Sequence, residues 1–300
     1  MQILTFPDDC ARGRDLADRL GVEFDAIDLH HFPDGESRLR LPAALAPQVV
    51  IVRSLDRPNE KLVEILMAAL AARESGATEV TLVAPYLAYM RQDAAFQPGE
   101  VVSQRWIGQL LATHFDTIVT VDPHLHRVGS LSEAVPARTA VIVPAAPAIG
   151  AFLRERAPCA VLVGPDSESA QWVAAVASAA ALDYAVADKE RHGDRSVSVA
   201  LPLRSFAGER VVLVDDLVST GRTLVEAGRA LMRAGARRVD VMATHALFVG
   251  DAIAELRAAG IVEIWSTDTV RHPTNALSLT PDIADFLNKI LRGRVPHEPI

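Results

Sequence analysis

The sequence predicts an α/β protein built as two similar halves, each a mainly parallel sheet flanked by helices. Three observations carry that expectation. Short apolar segments alternate with amphipathic stretches along most of the 300 residues, the rhythm of βα units. Gly76-Ala77-Thr78-Glu79-Val80-Thr81-Leu82-Val83-Ala84 parallels Gly235-Ala236-Arg237-Arg238-Val239-Asp240-Val241-Met242-Ala243, and each follows a helical stretch bearing a Leu-Val-Glu triplet, at 62–64 and 224–226. The apolar runs 117–122 and 211–215 both close on an aspartate.

Strands are expected at 2–6, 25–30, 48–53, 79–84, 117–122, 139–143, 160–163, 184–187, 196–200, 210–215, 238–244 and 261–266, where β-branched and apolar residues run together. Helices are expected at 10–20, 58–75, 103–114, 145–156, 168–180, 223–234, 250–259 and 281–291. Asp56 ahead of Pro58 reads as an N-cap followed by a φ-locked first turn. Pro144 and Pro147 mark the junction. The expected domains are therefore 1–143 and 144–300, with the last helix a candidate to pack back on the first.

A chain that is half hydrophobic can bury one large core or two moderate ones. A net charge of −8 argues against a nucleic-acid partner, which would call for a basic surface. The first six residues lack a basic region and a long apolar run, so they read as a strand rather than a signal peptide. The richest apolar stretch, 140–153, is broken by two prolines and falls short of the roughly 18 residues needed to span a bilayer. Cys10 and Cys159 form no CxxC or metal pattern. A soluble cytoplasmic protein without a membrane partner is expected. Only three of the 30 basic residues, Lys61, Lys189 and Lys289, are lysines, which draws attention to each.

The most informative segment is Val211-Val212-Leu213-Val214-Asp215-Asp216-Leu217-Val218-Ser219-Thr220-Gly221-Arg222-Thr223-Leu224. A buried strand leads through two carboxylates into a small loop that opens a helix. Such a loop presents backbone N–H groups to an anion, and the helix dipole adds to the attraction. Ser219, Thr220 and Thr223 add hydroxyl donors, and Gly221 permits close approach. Asp215 and Asp216 suit ribose hydroxyls or a Mg²⁺ ion. The plain alternative is a tight βα turn with acidic capping residues.

Five further segments follow strand-like runs. His31-Phe32-Pro33-Asp34-Gly35-Glu36 reads either as a hairpin tip or as an aromatic stacking face with acids able to read an amine edge. Arg91-Gln92-Asp93 closes a loop after the run ending at Ala84. Asp122-Pro123-His124-Leu125-His126 and Gly164-Pro165-Asp166 offer metal-type donors, although imidazole is an unusual ligand for the oxygen-seeking Mg²⁺. Asp188-Lys189-Glu190-Arg191-His192-Gly193-Asp194-Arg195 is a charged stretch that is a solvated loop unless its lysine and arginine have a use.

The 211–224 segment resembles the phosphoribosyl-pyrophosphate (PRPP) loop shared by phosphoribosyltransferases and ribose-phosphate pyrophosphokinases. These motifs together, in order over about residues 2–290, resemble the ribose-phosphate pyrophosphokinase family, in a divergent short form. The resemblance implies two phosphoribosyltransferase-type domains and the reaction of ATP with ribose 5-phosphate to give PRPP and AMP, with Mg²⁺. It implies that Phe32, Asp34 and Glu36 read adenine, that Arg91, Gln92 and Asp93 bind ATP, and that His124 and Asp166, rather than His126, serve the metal. It further implies that Asp215, Asp216, Ser219, Thr220, Gly221, Arg222 and Thr223 bind ribose 5-phosphate, and that Lys189 and Arg191 are catalytic. In that family the adenine loop reaches a neighbouring subunit's site, which implies at least a homodimer. Both halves are then expected to serve one crevice at the strands' carboxyl ends. This chain departs from the pattern at Ala94 and Ala95, where many members carry basic residues, at Ser167-Glu168-Ser169, and at Glu190. The remaining alternatives are a phosphoribosyltransferase using PRPP and a nucleobase, and a non-catalytic regulatory relative.

Overall fold

The computed structural model describes residues 1–192 and 196–292, and the side chains of 189–198 and 291 lie outside that description. The chain divides into two compact units, Met1–Val143 joined by the C-terminal helix, and Pro144–Leu279.

The first unit runs β1 (Gln2–Thr5), α1 (Cys10–Leu20), β2 (Glu23–Ala26), β3 (Asp28–His31), β4 (Ser37–Arg40), β5 (Gln48–Val52), α2 (Pro58–Glu74), β6 (Glu79–Ala84), α3 (Ser103–His114), β7 (Thr117–Val121), α4 (Leu131–Ala134) and β8 (Thr139–Val143). Its sheet has the order β2-β1-β5-β6-β7-β8, every pair parallel. The central strands are buried nearly end to end, as a sheet covered on both faces requires. Strands β3 and β4 form a separate antiparallel hairpin.

The second unit runs α5 (Ala146–Arg156), β9 (Val161–Gly164), α6 (Ala170–Ala180), β10 (Tyr184–Val186), β11 (Asp188–His192), β12 (Ser196–Ala200), β13 (Arg210–Val218), α7 (Arg222–Arg233), β14 (Arg238–Ala246), α8 (Ala252–Ala258), β15 (Ile261–Thr267) and β16 (Asn275–Leu277). The sheet order β10-β9-β13-β14-β15-β16 is again all parallel, and β11–β12 is a separate hairpin. The two units thus share one topology, strand for strand. Val163, Leu213, Leu224, Leu231, Val241 and Leu256 belong to the second core. Helix α9 (Thr280–Leu291) packs on α1 and β8 of the first unit. Among the described residues no helix is long and apolar enough to cross a membrane.

Several boundaries differ from expectation for physical reasons. The single strand expected at 25–30 is split at buried Ile27, whose N–H donates to the Thr5 carbonyl at 2.8 Å. β2 ends there on the main sheet and β3 departs to pair with β4. The strand expected at 210–215 continues to Val218, because its register with β14 holds as far as Val218 opposite Ala246. Both aspartates are therefore strand residues, and Arg222 and Thr223 begin α7. Part of the charged 188–195 stretch is not a loop, since residues 188–192 pair with 196–200. Asp56 does not cap α2; Arg57 takes that place in a left-handed conformation (φ 51°), while the Asp56 carboxylate accepts from Lys61 Nζ at 2.8 Å.

Candidate functional site

In the second unit, neighbouring strands β9 and β13 bring Asp166, Asp215 and Asp216 to their carboxyl ends. Asp216 is 3% exposed and Asp166 9%, while Asp215 is half-buried. The Asp215 carboxyl is held well above its ordinary range by burial first, then by the charges of Asp216 and Asp166. Acids crowded in this way favour a cationic or hydroxyl-bearing ligand. Beyond them, Gly221 caps α7 at φ 70°, and its carbonyl accepts the Val225 N–H at 2.9 Å. A side chain there would be strained by that φ. The loop is braced from β14 onward, where the Leu247 and Val249 N–H groups donate to the Val218 and Ser219 carbonyls at 3.0 and 3.2 Å. Thr220 and Arg222 are exposed, with Ser219 and Thr223 partly so. The opening amides of α7 have no partner within the helix, as at any helix start, and such amides can receive an anion. Asp166 also has a local duty: its Oδ1 accepts the Ser169 N–H at 3.3 Å and caps the short turn Ser167–Ser169.

In the first unit, residues 32–36 are the tip of the β3–β4 hairpin. The Phe32 N–H donates to the Glu36 carbonyl at 2.8 Å, and Asp34 Oδ1 accepts the Glu36 N–H at 3.2 Å. Phe32 is 41% exposed, its ring edge-on to His30. After β6, Arg91 is exposed, whereas the Gln92 side chain accepts the Ser103 N–H at the start of α3 and donates to the Ala94 carbonyl. Asp93 Oδ1 pairs with Arg127 Nη1 at 2.6 Å, tying this loop to the one after β7, and its buried Oδ2 has no hydrogen-bond partner. After β7, His124 and His126 meet Nε2 to Nε2 at 2.5 Å. Arg57, Tyr89 and Asp122, with φ of 51°, 66° and 31°, place one left-handed non-glycine residue in each loop after β5, β6 and β7.

The residues singled out from the sequence fall into two groups, one in each unit. Lys189 and Arg191 lie in the backbone of β11, with their side chains outside the described residues. His126 was set aside in the sequence, yet its ring is against His124. Arg127 was not anticipated; a basic residue directly after a histidine pair was the available signal. Nor were Arg53 and Glu64: Glu64 bonds His31 and Ser37 of the β3–β4 hairpin, Arg53 bonds Glu64, and nothing in their sequence setting sets them apart from an ordinary helix and strand end. Among the described residues, no group of three or more His, Cys, Asp or Glu side chains could hold a metal ion.

Two parallel-sheet units of one topology, the second with an acid–hydroxyl–glycine loop opening a helix, define a protein of two phosphoribosyltransferase-type domains. A family model described as the N-terminal domain of ribose phosphate pyrophosphokinase matches residues 1–114, and one described as the phosphoribosyl transferase domain matches 153–256. A ribose-phosphate pyrophosphokinase of Methanopyrus kandleri is 37% identical over 97% of this chain and 99% of its own length. One from Halobacterium salinarum is 34% identical over 91% and 95%. In fold, the chain is similar to the crystal structure of phosphoribosylpyrophosphate synthetase from Mycobacterium smegmatis, with a TM-score of 0.84 at 24% identity over 97% of this chain and 99% of that one. The chain belongs to the ribose-phosphate pyrophosphokinase family.

Proposed function

We propose that this chain transfers the pyrophosphoryl group of Mg²⁺-ATP to the anomeric hydroxyl of ribose 5-phosphate, giving PRPP and AMP. The observation that carries this reading is full-length likeness to ribose-phosphate pyrophosphokinases, joined to the acidic pair and phosphate cradle between β13 and α7. Ser219, Thr220, Gly221, Arg222 and Thr223 hold the 5-phosphate, and Asp215 and Asp216 accept hydrogen bonds from the ribose hydroxyls. Phe32 stacks on adenine, Asp34 and Glu36 accept from its amino edge, and Arg91, Gln92 and Asp93 bind the rest of ATP.

The anomeric oxygen attacks the β-phosphorus, the bond from that phosphorus to the oxygen bridging it to the α-phosphate breaks, and AMP leaves. No enzyme nucleophile takes part, so catalysis rests on alignment and charge neutralisation. Lys189 and Arg191 neutralise charge on the moving group. Mg²⁺, when bound, supplies further neutralisation; His124 and Asp166 are the residues that would hold it. The acids crowded around Asp215 fit a cation, and Mg²⁺ characteristically relies on one or two carboxylates plus substrate phosphates.

Self-association as a homodimer or larger is part of the reading. Val63, Met67 and Leu70 on α2, and Trp106 and Leu110 on the adjoining α3, are exposed apolar side chains at helical spacing that suit a second copy. Two free thiols, Cys10 and Cys159, support a cytoplasmic location.

Incubation with ATP, Mg²⁺ and ribose 5-phosphate should yield AMP and PRPP. Consumption of PRPP with a nucleobase, and no AMP from the first mixture, would instead make it a phosphoribosyltransferase. Lys189→Ala is expected to lower turnover at least about a hundredfold with little change in ribose 5-phosphate affinity. Near-normal turnover in that variant would remove Lys189 from the mechanism.

A further inference from the structure

We propose that Glu64 is a positioning residue for the nucleotide: its buried carboxylate clamps both ends of the 32–36 loop and fixes where Phe32, Asp34 and Glu36 are presented. The inference rests on the reading of that loop as the adenine site. Glu64 Oε1 accepts from His31 Nε2 at 2.7 Å and from Ser37 Oγ at 2.5 Å, and Oε2 accepts from Arg53 Nη1 at 2.5 Å. His31 and Ser37 are cross-strand partners, the last pair before the turn. The five loop residues therefore hang from a single carboxylate on α2.

The hairpin needs such an anchor. It belongs to neither six-stranded sheet, and an isolated two-stranded hairpin is marginal in water. Glu64 is 1% exposed and is itself fixed from behind, because the buried Arg53 guanidinium lies 4.0 Å over the Phe6 ring and reaches Asp8 at 3.4 Å. Burial alone would push the Glu64 carboxyl up; hydrogen bonds from Ser37, Arg53 and His31, with the Arg53 charge, bring it below its ordinary value. An ionised Glu64 only accepts, so His31 carries its proton on Nε2. Glu226 closes the matching Leu-Val-Glu triplet in the second unit, but it is partly exposed and pairs within its own helix with Arg229. The burial and the three-way clamp are particular to the first unit.

Glu64→Gln keeps the shape but turns amide hydrogens toward donors. Its KM for ATP should rise about tenfold, the loss expected of one charge-assisted hydrogen bond, while kcat and the KM for ribose 5-phosphate stay within about twofold. Ser37→Ala should raise the KM for ATP in the same direction by less, and Ser37→Thr, which keeps the hydroxyl, should restore it. Amide hydrogen exchange at Phe32 and Gly35, the donors that close the loop, should accelerate in Glu64→Gln and Ser37→Ala while β5 and β6 stay protected. Unchanged exchange at those two amides overturns the clamp, and a KM rise shared equally by both substrates overturns its specificity for nucleotide. A parent chain that forms no AMP refutes the proposed reaction instead, and the exchange measurement still decides the clamp.

Discussion

The loop after β5 in the first unit and the loop after β13 in the second occupy the same place in one topology, and they are put to opposite uses. Each ends in a left-handed N-cap, Arg57 at φ 51° and Gly221 at φ 70°. In the first, charges satisfy one another: Arg53 meets Glu64 and Asp8, and Lys61 meets Asp8 at 3.0 Å and Asp56 at 2.8 Å. In the second, the groups that shift Asp215 are burial and two more acids, and hydroxyls and glycine fill the turn. A self-neutralised loop is a structural support. A loop of crowded acids next to the opening amides of a helix leaves charge uncompensated, which is what the proposed sugar-phosphate site needs. The duplication thus separates into a frame that steadies the β3–β4 hairpin and a site proposed for sugar phosphate.

The comparison breaks most visibly at its buried ion pair. Glu64→Ala removes the near partner of the buried Arg53 charge and leaves it only Asp8 at 3.4 Å, and stability should fall by about 3–5 kcal/mol in denaturant titrations. A loss of well under 1 kcal/mol would mean that the first loop is not held by its charges. Asp216→Ala should do the reverse, leaving the unfolding midpoint near that of the parent because an acid has been removed from a crowd. Ribose 5-phosphate affinity by calorimetry should fall about tenfold to a hundredfold, the range for a hydrogen bond to a charged group. Unchanged affinity would count against the sugar-site assignment. The two N-caps give a paired test of smaller size. A left-handed non-glycine residue costs about 1–2 kcal/mol, so Arg57→Gly should stabilise and Gly221→Ala destabilise by roughly that amount. Only the second should weaken phosphate binding, and equal effects of both on ligand affinity would erase the distinction.

Periodicity made the frame legible and left its branch points hidden. Helices 10–20 and 103–114 and strand 139–143 could be read from the chain because an apolar stripe or run coincides with the element. The break at Ile27 could not, since apolar character continues through it and only the hydrogen bond to Thr5 reveals that the chain changes sheet. The same holds for β13, where two charged residues look like the end of a strand until the pairing with β14 is seen to continue. Among the candidate residues, the 211–224 segment stood out from its own residues, whereas 32–36 read equally as a hairpin tip until its resemblance to the family's adenine loop gave it a use. Glu64 and Arg127 did not stand out, because their partners are distant in sequence: Ser37 and His31 for one, Asp93 for the other.

Asp215 gives the smallest expected effect and tests the comparison by its sign. Its folded carboxyl is raised above the ordinary 3.8, so the folded chain keeps a proton that the unfolded chain has already lost. Stability therefore falls as pH rises from that ordinary value through the raised one, and the penalty is fully present above it. Asp215→Asn keeps the oxygen that accepts the Asp216 N–H at 3.1 Å and removes the charge. Without ligand and in chelator, it should be more stable than the parent by about 1 kcal/mol at neutral pH, with the gain vanishing in acid. Glu64 has the opposite slope: its lowered carboxyl contributes stability above the ordinary 4.5 that is lost as pH falls through the folded value. Denaturant midpoints of Asp215→Asn and Glu64→Gln, taken across the same pH series, should thus diverge from the parent in opposite directions as pH rises. A gain for Asp215→Asn that is the same at every pH would trace the effect to hydrogen bonding, and the contrast between a satisfied loop and a ligand-seeking one would lose its electrostatic basis.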